Sequence, residues 1–299
     1  MDFLGISLPS YSLETVFGSA ISGVFLGAIY ALVALGLTLI YGVLHIINFA
    51  HGTLLMLAMY AVFFLWSVFG VDPYLAMLIV VPGGYLFGYA LQRSVIGRTS
   101  HGRDEIILLT TLGVSIVLEN FALFAFSANE RNVQVPYDFD GIDLGVVYIV
   151  WPQIAALVGS LLITAALWCF MRFTDTGKAI RAVAKERQGA RLMGINVEHI
   201  FAVSFGIGTA CVAAAASLLA PTYAVFPQVG YLFVLIAFTV VVLGGMGSFV
   251  GALVGGLVIG VTEQIGRLYL GESLGLITIS AIFILILLFR PTGLFGQRL

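Results

Sequence analysis

Residues 27–70 read "GAIYALVALGLTLIYGVLHIINFAHGTLLMLAMYAVFFLWSVFG". The run contains no Asp, Glu, Lys or Arg. It is long enough for two membrane-crossing helices of about 20 residues each. Near its middle stand an amide, an imidazole and a helix weakener: Asn48, His51 and Gly52 within "IINFAHG" (46–52). Gly lowers helix propensity by about 1 kcal/mol relative to Ala. Asn48 and His51 are three residues apart and share a helix face. The pattern predicts a helix over 44–69 that is weakened or broken at Gly52.

Composition extends this reading to the whole chain. Of 299 residues, 61% are hydrophobic and 9% charged, with a mean hydropathy of +1.10. A soluble domain is about a quarter charged, and a core of this size cannot hide so much apolar surface from water. The surrounding solvent is therefore mostly lipid. The net charge of −2 and the scattered cations give no nucleic-acid-binding face. Cys169 and Cys211 both lie in apolar runs and read as free thiols. The first residues, "MDFLGISLPS", lack a basic leader, so no cleavable signal peptide is expected.

Apolar segments of spanning length or close to it fall at about 14–42, 44–69, 74–92, 105–126, 147–171, 199–220, 230–245, 249–266 and 273–289. Their length indicates helices, because barrel strands need only about 10 residues and alternate. The fold class is an all-α polytopic membrane protein with eight or nine transmembrane segments. The seventh and eighth are short and joined by "LGGMGS" (243–248), so 230–266 is either two spans or one re-entrant hairpin.

Cation placement orients the chain. Arg93, Arg98 and Arg103 share one loop; Arg172, Lys178, Arg181, Lys185, Arg187 and Arg191 share another; Arg290 and Arg298 close the chain. Arg131 and Arg267 fall on the opposite side, with Asp138, Asp140 and Asp143, while Asp2 and Glu14 mark the start. This puts the N-terminus outside and the C-terminus in the cytoplasm, which requires an odd number of crossings.

Two segments carry small residues at four-residue intervals: Gly23, Gly27 and Ala31 in the first, and Gly247, Gly251 and Gly255 in the eighth. Such rows let helix backbones approach closely in lipid. Packing within one subunit is the favoured reading, and a seam between subunits is the alternative.

The stretch "MRFTDTGKAIRAVAKERQGARLMGIN" (171–196) is long for a loop between spans. Ile180, Val183 and Ala184 fall on one helical face, and Lys178, Arg181 and Lys185 on another. Thr174, Asp175 or Thr176 is placed to cap its start, Gly194 to end it, and Asn196 to cap the next span. A topogenic loop lying on anionic headgroups needs cations alone. The small residues Gly177, Ala179, Ala182, Gly189 and Ala190 suggest instead a helix on which a cytoplasmic partner docks.

With those residues in view, the chain resembles the LivH-type permease subunit of branched-chain amino acid ABC importers. The resemblance rests on "YGVLHIINFAHG" (41–52), "GVSIVLEN" (113–120), "TGKAIRAVAKERQGARLMGIN" (176–196), "VVVLGGMGSFVGALVGGLVIGVTE" (240–263) and "RPTGLFG" (290–296), in that order along nearly the whole chain. It implies one permease domain over 1–299 in the bacterial inner membrane. It implies a coupling helix at 177–194, with Gly177, Lys178, Arg181, Ala182, Lys185, Ala190 and Gly194 as its coupling residues. The implied partners are a homologous second permease or a second copy, two cytoplasmic ATPase subunits, a periplasmic solute-binding protein and membrane lipid. ATP and Mg belong to the ATPase chains, and this chain is expected to bind no cofactor: it has no G-x-x-x-x-G-K-[ST] loop, and "GGMGSFVGA" lacks the lysine. The family usually has an acidic residue where this chain has Thr53. Many members have a lysine where Ile236 stands and a glutamine where Glu119 stands, so the solute preference is open to change.

Asn48, His51, Thr53, Glu119 and Asn120 are the candidate pathway residues, since polar groups within spans usually face the bundle interior. The alternative for Asn48 and His51 is a staple to a neighbouring helix, and for Glu119 and Asn120 a purely structural role. Glu263 is four residues from Arg267 and suited to pair with it. The four histidines show no metal-ligand spacing, and no nucleophile–base constellation indicates catalysis. A self-contained secondary transporter or channel is the other functional class. It usually needs carboxylates deep in the spans and inverted halves; here few such carboxylates are available and no inverted halves are detected.

Overall fold

The computed structural model describes residues 2–3, 6–7, 11–99, 104–143, 145, 147–271, 274–290 and 293–295. Arg103 and Arg298, two of the orienting cations, lie outside the described residues. The chain is mostly helical: α1 Leu13–Leu44, α2 His51–Phe69, α3 Pro73–Leu91, α4 Gly97–Thr99, α5 Asp104–Phe126, α6 Trp151–Phe173, α7 Asp175–Lys185, α8 Arg187–Leu192, α9 Val197–Leu219, α10 Val229–Gly244, α11 Phe249–Leu270 and α12 Gly275–Phe289. Short antiparallel strand pairs join Asp2–Phe3 to Ile6–Ser7 and Gly141–Asp143 to Tyr148–Val150. Seven of the described helical segments are long and apolar enough to cross a membrane, and α10 and α12 are shorter apolar helices. At 1.5 Å per residue, α1 is about 48 Å long and α10 about 24 Å, on either side of a hydrocarbon core of about 30 Å.

The first break differs from the sequence expectation. The second helix starts at His51 instead of residue 44, and α1 runs on through Leu44. Three local features end α1 before Gly52 is reached. His45 takes a left-handed conformation (φ 58) and donates its N–H to the Tyr41 carbonyl at 2.7 Å. Ile46 and Ile47 are β-branched and fit poorly into a helical turn. The Asn48 side chain then accepts from the Ala50 N–H at 3.1 Å, a local bond that competes with helix. Gly52 lies inside the first turn of α2, where a side chain would collide with the Gly230 carbonyl of α10. Its role is close approach between helices, and the break is made upstream.

The third segment also departs from expectation. It begins on an Asp72 cap, which accepts from the Tyr74 N–H at 2.9 Å, and on Pro73. It then passes through a π-helical turn at Gln92–Ile96 into α4.

The centre of the molecule is α1, almost wholly buried, with α9 beside it. Around them α2, α3, α6, α10 and α11 form a shell. Gly23, Gly27 and Ala31 lie against Gly256 and Gly260 of α11: a Cβ on Gly23 would sit 2.5 Å from Val261 Cα, and one on Gly27 2.7 Å from the Gly256 carbonyl oxygen. Gly251 and Gly255 face α10 instead, on the Gly244 and Val240 carbonyls. Gly247 lies in the turn between α10 and α11, where its φ of 87 favours glycine.

The region 230–266 is thus two antiparallel helices. The chain end secures the turn between them: Leu294 N–H donates to Leu243 O at 2.7 Å and Phe295 N–H to Gly244 O at 3.1 Å. These bonds satisfy terminal carbonyls of α10 that have no helical partner. Glu263, fully buried, bonds Arg267 Nη2 at 2.5 Å one turn along α11.

Because the α1–α11 contact is backbone on backbone, it tolerates no side chain. Gly260→Val is expected to cost at least about 2 kcal/mol by overpacking. Gly83→Ala, at a helical site with no heavy atom within 4 Å of the added carbon, should be neutral or stabilising by up to about 1 kcal/mol. Equilibrium unfolding of the two variants in the same detergent checks the contrast.

Candidate functional site at the first helix break

Residues 45–51 gather the polar groups expected at the break. His51 is fully buried, and its Nε2 is 2.9 Å from the Val33 carbonyl of α1. A carbonyl can only accept, so Nε2 carries the proton and donates. Thr53, also buried, donates to the Ala50 carbonyl at 2.9 Å and reaches Ser115 Oγ of α5 at 3.4 Å. The Phe49 N–H donates to Thr111 Oγ1 at 3.3 Å. Asn48 is 2% exposed; its oxygen caps the turn while its Nδ2 has no partner.

On the facing helix, Thr111, Ser115 and Glu119 recur every four residues and are all buried. They form a polar line against the start of α2. Glu119 Oε2 accepts from the hydroxyl of Tyr231, which comes from α10 and is half exposed. Asn120 stands apart from this group. It is exposed, and its amide donates back to Ile116 O at 2.8 Å within its own helix. The structure therefore brings Asn48, His51, Thr53 and Glu119 into one region and leaves Asn120 outside it. Thr111, Ser115 and Tyr231 were missed from sequence. The four-residue spacing of Thr111, Ser115 and Glu119 was a visible signal, whereas Tyr231 joins only through tertiary packing.

The basic stretch folds as two helices, α7 and α8, separated by Glu186 in extended conformation. Thr174 caps α7 by accepting from the Gly177 N–H at 3.0 Å, Gly194 ends the pair with φ 82, and Asn196 caps α9. Ile180 and Val183 are fully buried against the spans. Gly177 and Ala190 also face inward, Gly177 on the Met171 and Phe170 carbonyls, which removes both from any docking face. Arg181 is exposed but bonds the Met171 carbonyl at the end of α6. Lys178 pairs with Asp175 at 2.9 Å, and that bond holds the exposed Asp175 carboxyl below its ordinary range. The outward surface includes Lys178, Ala182, Lys185, Arg191 and Gly194 together with the exposed Asp175, Arg181, Glu186 and Gln188, with Leu192 88% and Met193 83% exposed at its tip.

Arg187, first residue of α8, was grouped with the loop cations and given no site role. Its Nη2 donates to the Leu44 carbonyl at 2.6 Å and lies 3.3 Å from the Val43 carbonyl and 3.2 Å from His45 Nδ1. Its guanidinium sits 5.2 Å from the Phe201 ring centre. It thus caps the last carbonyls of α1, where a cation also meets the favourable end of the helix dipole, worth about 0.3–2 kcal/mol.

A family model for the branched-chain amino acid transport system permease component matches residues 19–289. The chain belongs to this family. It is 34% identical to the high-affinity branched-chain amino acid transport system permease protein BraD of Pseudomonas aeruginosa, over 93% of this chain and 94% of that one. It is 33% identical to LivH of Escherichia coli K12, over 96% of each. A more distant relative is the Salmonella typhimurium permease protein LivM, 22% identical over 89% of this chain and 67% of that one. The permease is a multi-pass membrane protein, and its family is one of transport subunits.

If the 3.4 Å contact between Thr53 and Ser115 binds α2 to α5, Thr53→Val and Ser115→Ala should be coupled by about 0.6 kcal/mol, the usual size of a polar contact between spans. A double-mutant cycle on unfolding in detergent measures this. Additive effects would show that the two hydroxyls do not interact.

Proposed function

We propose that this permease provides the translocation pathway of an ATP-binding-cassette importer for small amino acids, with branched, apolar ones as the solute class. The observation that carries the reading is the match to branched-chain amino acid permeases along nearly the whole chain. The solute is delivered by a periplasmic binding protein. ATP and Mg are held by two ATPase subunits on other chains, and this subunit catalyses nothing itself.

The proposed orientation has the N-terminus outside, with α7–α8 and the C-terminus in the cytoplasm of the bacterial inner membrane. The cation-rich segments support it, and crossing by all nine apolar helices gives the odd number it requires. A second permease, homologous or identical, completes the pathway. The sidedness of α5 supports this: Thr111, Ser115 and Glu119 face inward, while Leu109, Val117, Phe121 and Phe124 are exposed apolar residues of the same helix. Thr53, Ser115, Glu119 and Tyr231 are the groups we assign to the pathway wall. Asn48 and His51 shape the break behind them.

The exposed face of α7–α8 is the ATPase-docking surface in this reading. Charge surrounds an apolar tip of Leu192 and Met193, the kind of anchor that seats in a partner's pocket. Leu192→Asp combined with Met193→Asp should weaken capture of the ATPase subunits by at least about 30-fold, the loss of one binding hot spot. Co-purification from detergent with the chain's own ATPase subunits tests this, and undiminished capture would place docking elsewhere. Uptake of leucine by vesicles containing both permease and ATPase subunits, and none by the permease alone under an ion gradient, tests the class of transporter.

A further inference from the structure

At the α1–α2 break a central helix stops and hands over to a segment without regular structure. Two sets of contacts hold it. On one side, Phe49 and Thr53 engage the polar line of α5, with the local Asn48–Ala50 turn between them. On the other, the end of α1 is held by a side chain from 143 residues further along the sequence. That side chain is Arg187, and it arrives from the cytoplasmic helix pair.

The geometry points to Arg187 as a positioning residue that links α7–α8 to the break. The inference rests on the importer reading above for its source of motion, because it takes α7–α8 to be the part that the ATPase subunits move. One nitrogen of Arg187 contacts three acceptors, the Leu44 and Val43 carbonyls and His45 Nδ1. It carries two hydrogens, so the short bond to Leu44 O takes one and the two longer contacts share the other. The carbonyls of Val43 and Leu44 lack helical partners because the chain turns away at His45. Val43 and Leu44 are buried while Arg187 is half-exposed, so Arg187 serves these carbonyls at the edge of the packed interior, where losing it costs part of a hydrogen bond.

Displacement of α8 therefore either drags the end of α1 or breaks its cap. Both outcomes act on 45–50, whose left-handed residue His45 and local Asn48 turn can absorb a change of backbone angles as a hinge does. From there the shift reaches Phe49 and Thr53, and through them Thr111 and Ser115 on α5. Phe201 of α9 lies under the guanidinium, and Ile180 and Val183 of α7 are buried to 0% exposure, so the helix pair is seated on the bundle at both helices. Arg187 touches none of the residues assigned to the pathway wall. Its effect is on position alone.

Two measurements test the link. Amide hydrogen exchange on the isolated full chain in detergent needs no ATPase. Arg187→Ala should speed exchange across 45–50 at least tenfold while leaving 54–69 of α2 unchanged, and Arg187→Lys, which keeps a donor, should give a smaller change. Unaltered exchange at 45–50, or a uniform rise throughout the chain, would overturn the assignment. In vesicles with the ATPase subunits, Arg187→Ala should lower leucine imported per ATP hydrolysed at least tenfold with hydrolysis within twofold of wild type. A parallel fall in both rates would reduce Arg187 to a structural cap and sink the proposal. An exchange effect at 45–50 in a chain whose wild-type complex imports nothing would refute the importer reading and leave the physical link standing.

Discussion

The close backbone contact between α1 and α11 is the constraint on which the other packing depends. In lipid no hydrophobic force drives apolar helices together, so tight approach of small residues must supply the association. Gly23, Gly27 and Ala31 meeting Gly256 and Gly260 let the two backbones touch along several turns. With α11 seated there, its other glycine face, at Gly251 and Gly255, receives α10. In turn α10 receives Gly52 of α2 at Gly230. A chain of glycine contacts thus runs from α1 through α11 and α10 to α2. It seats the start of α2 against α10, just after the break.

That break raises a problem of backbone accounting. A helix that ends away from water leaves carbonyls without donors, and the following turn leaves N–H groups without acceptors. Here four of these groups are met by specific partners: Tyr41 O by His45 N–H, Leu44 O by Arg187, Ala50 N–H by Asn48, and Phe49 N–H by Thr111. The donors and acceptors come from four different helices or turns. The break is therefore a joint at which α1, α2, α5 and the cytoplasmic helix pair all meet. The chain end answers the same requirement for α10, where Leu294 and Phe295 supply the missing N–H groups.

Membership of a family of branched-chain amino acid permeases does not by itself choose a solute. The wall assigned to the pathway has one carboxylate, Glu119, already engaged by Tyr231, together with hydroxyls from Thr53 and Ser115. It has no cation among the described residues. Such a lining is weakly polar and suits a solute whose charged ends are each met briefly. In the proposed importer such a lining would leave selection to a soluble binding protein.

The sequence by itself determined the class of fold, because composition and segment length speak directly to lipid. It also placed the α7 cap within 174–176, the Gly194 stop, the Asn196 cap and the Glu263–Arg267 pair, since each is decided within about one turn of the chain. It marked 46–52 as anomalous but put the break at Gly52, because propensity is a local quantity and Gly52 is locally the weakest helix former. Only the tertiary structure decided that Gly52 is there for Gly230, that Gly177 and Ala190 face inward, and that Asn120 lies outside the site. Those outcomes depend on which helix lies opposite, which no local pattern specifies. Arg187 is the clearest case. In sequence it is one of six cations in a loop, and its place on the end of α1 exists only once two points 143 positions apart in the chain have folded together.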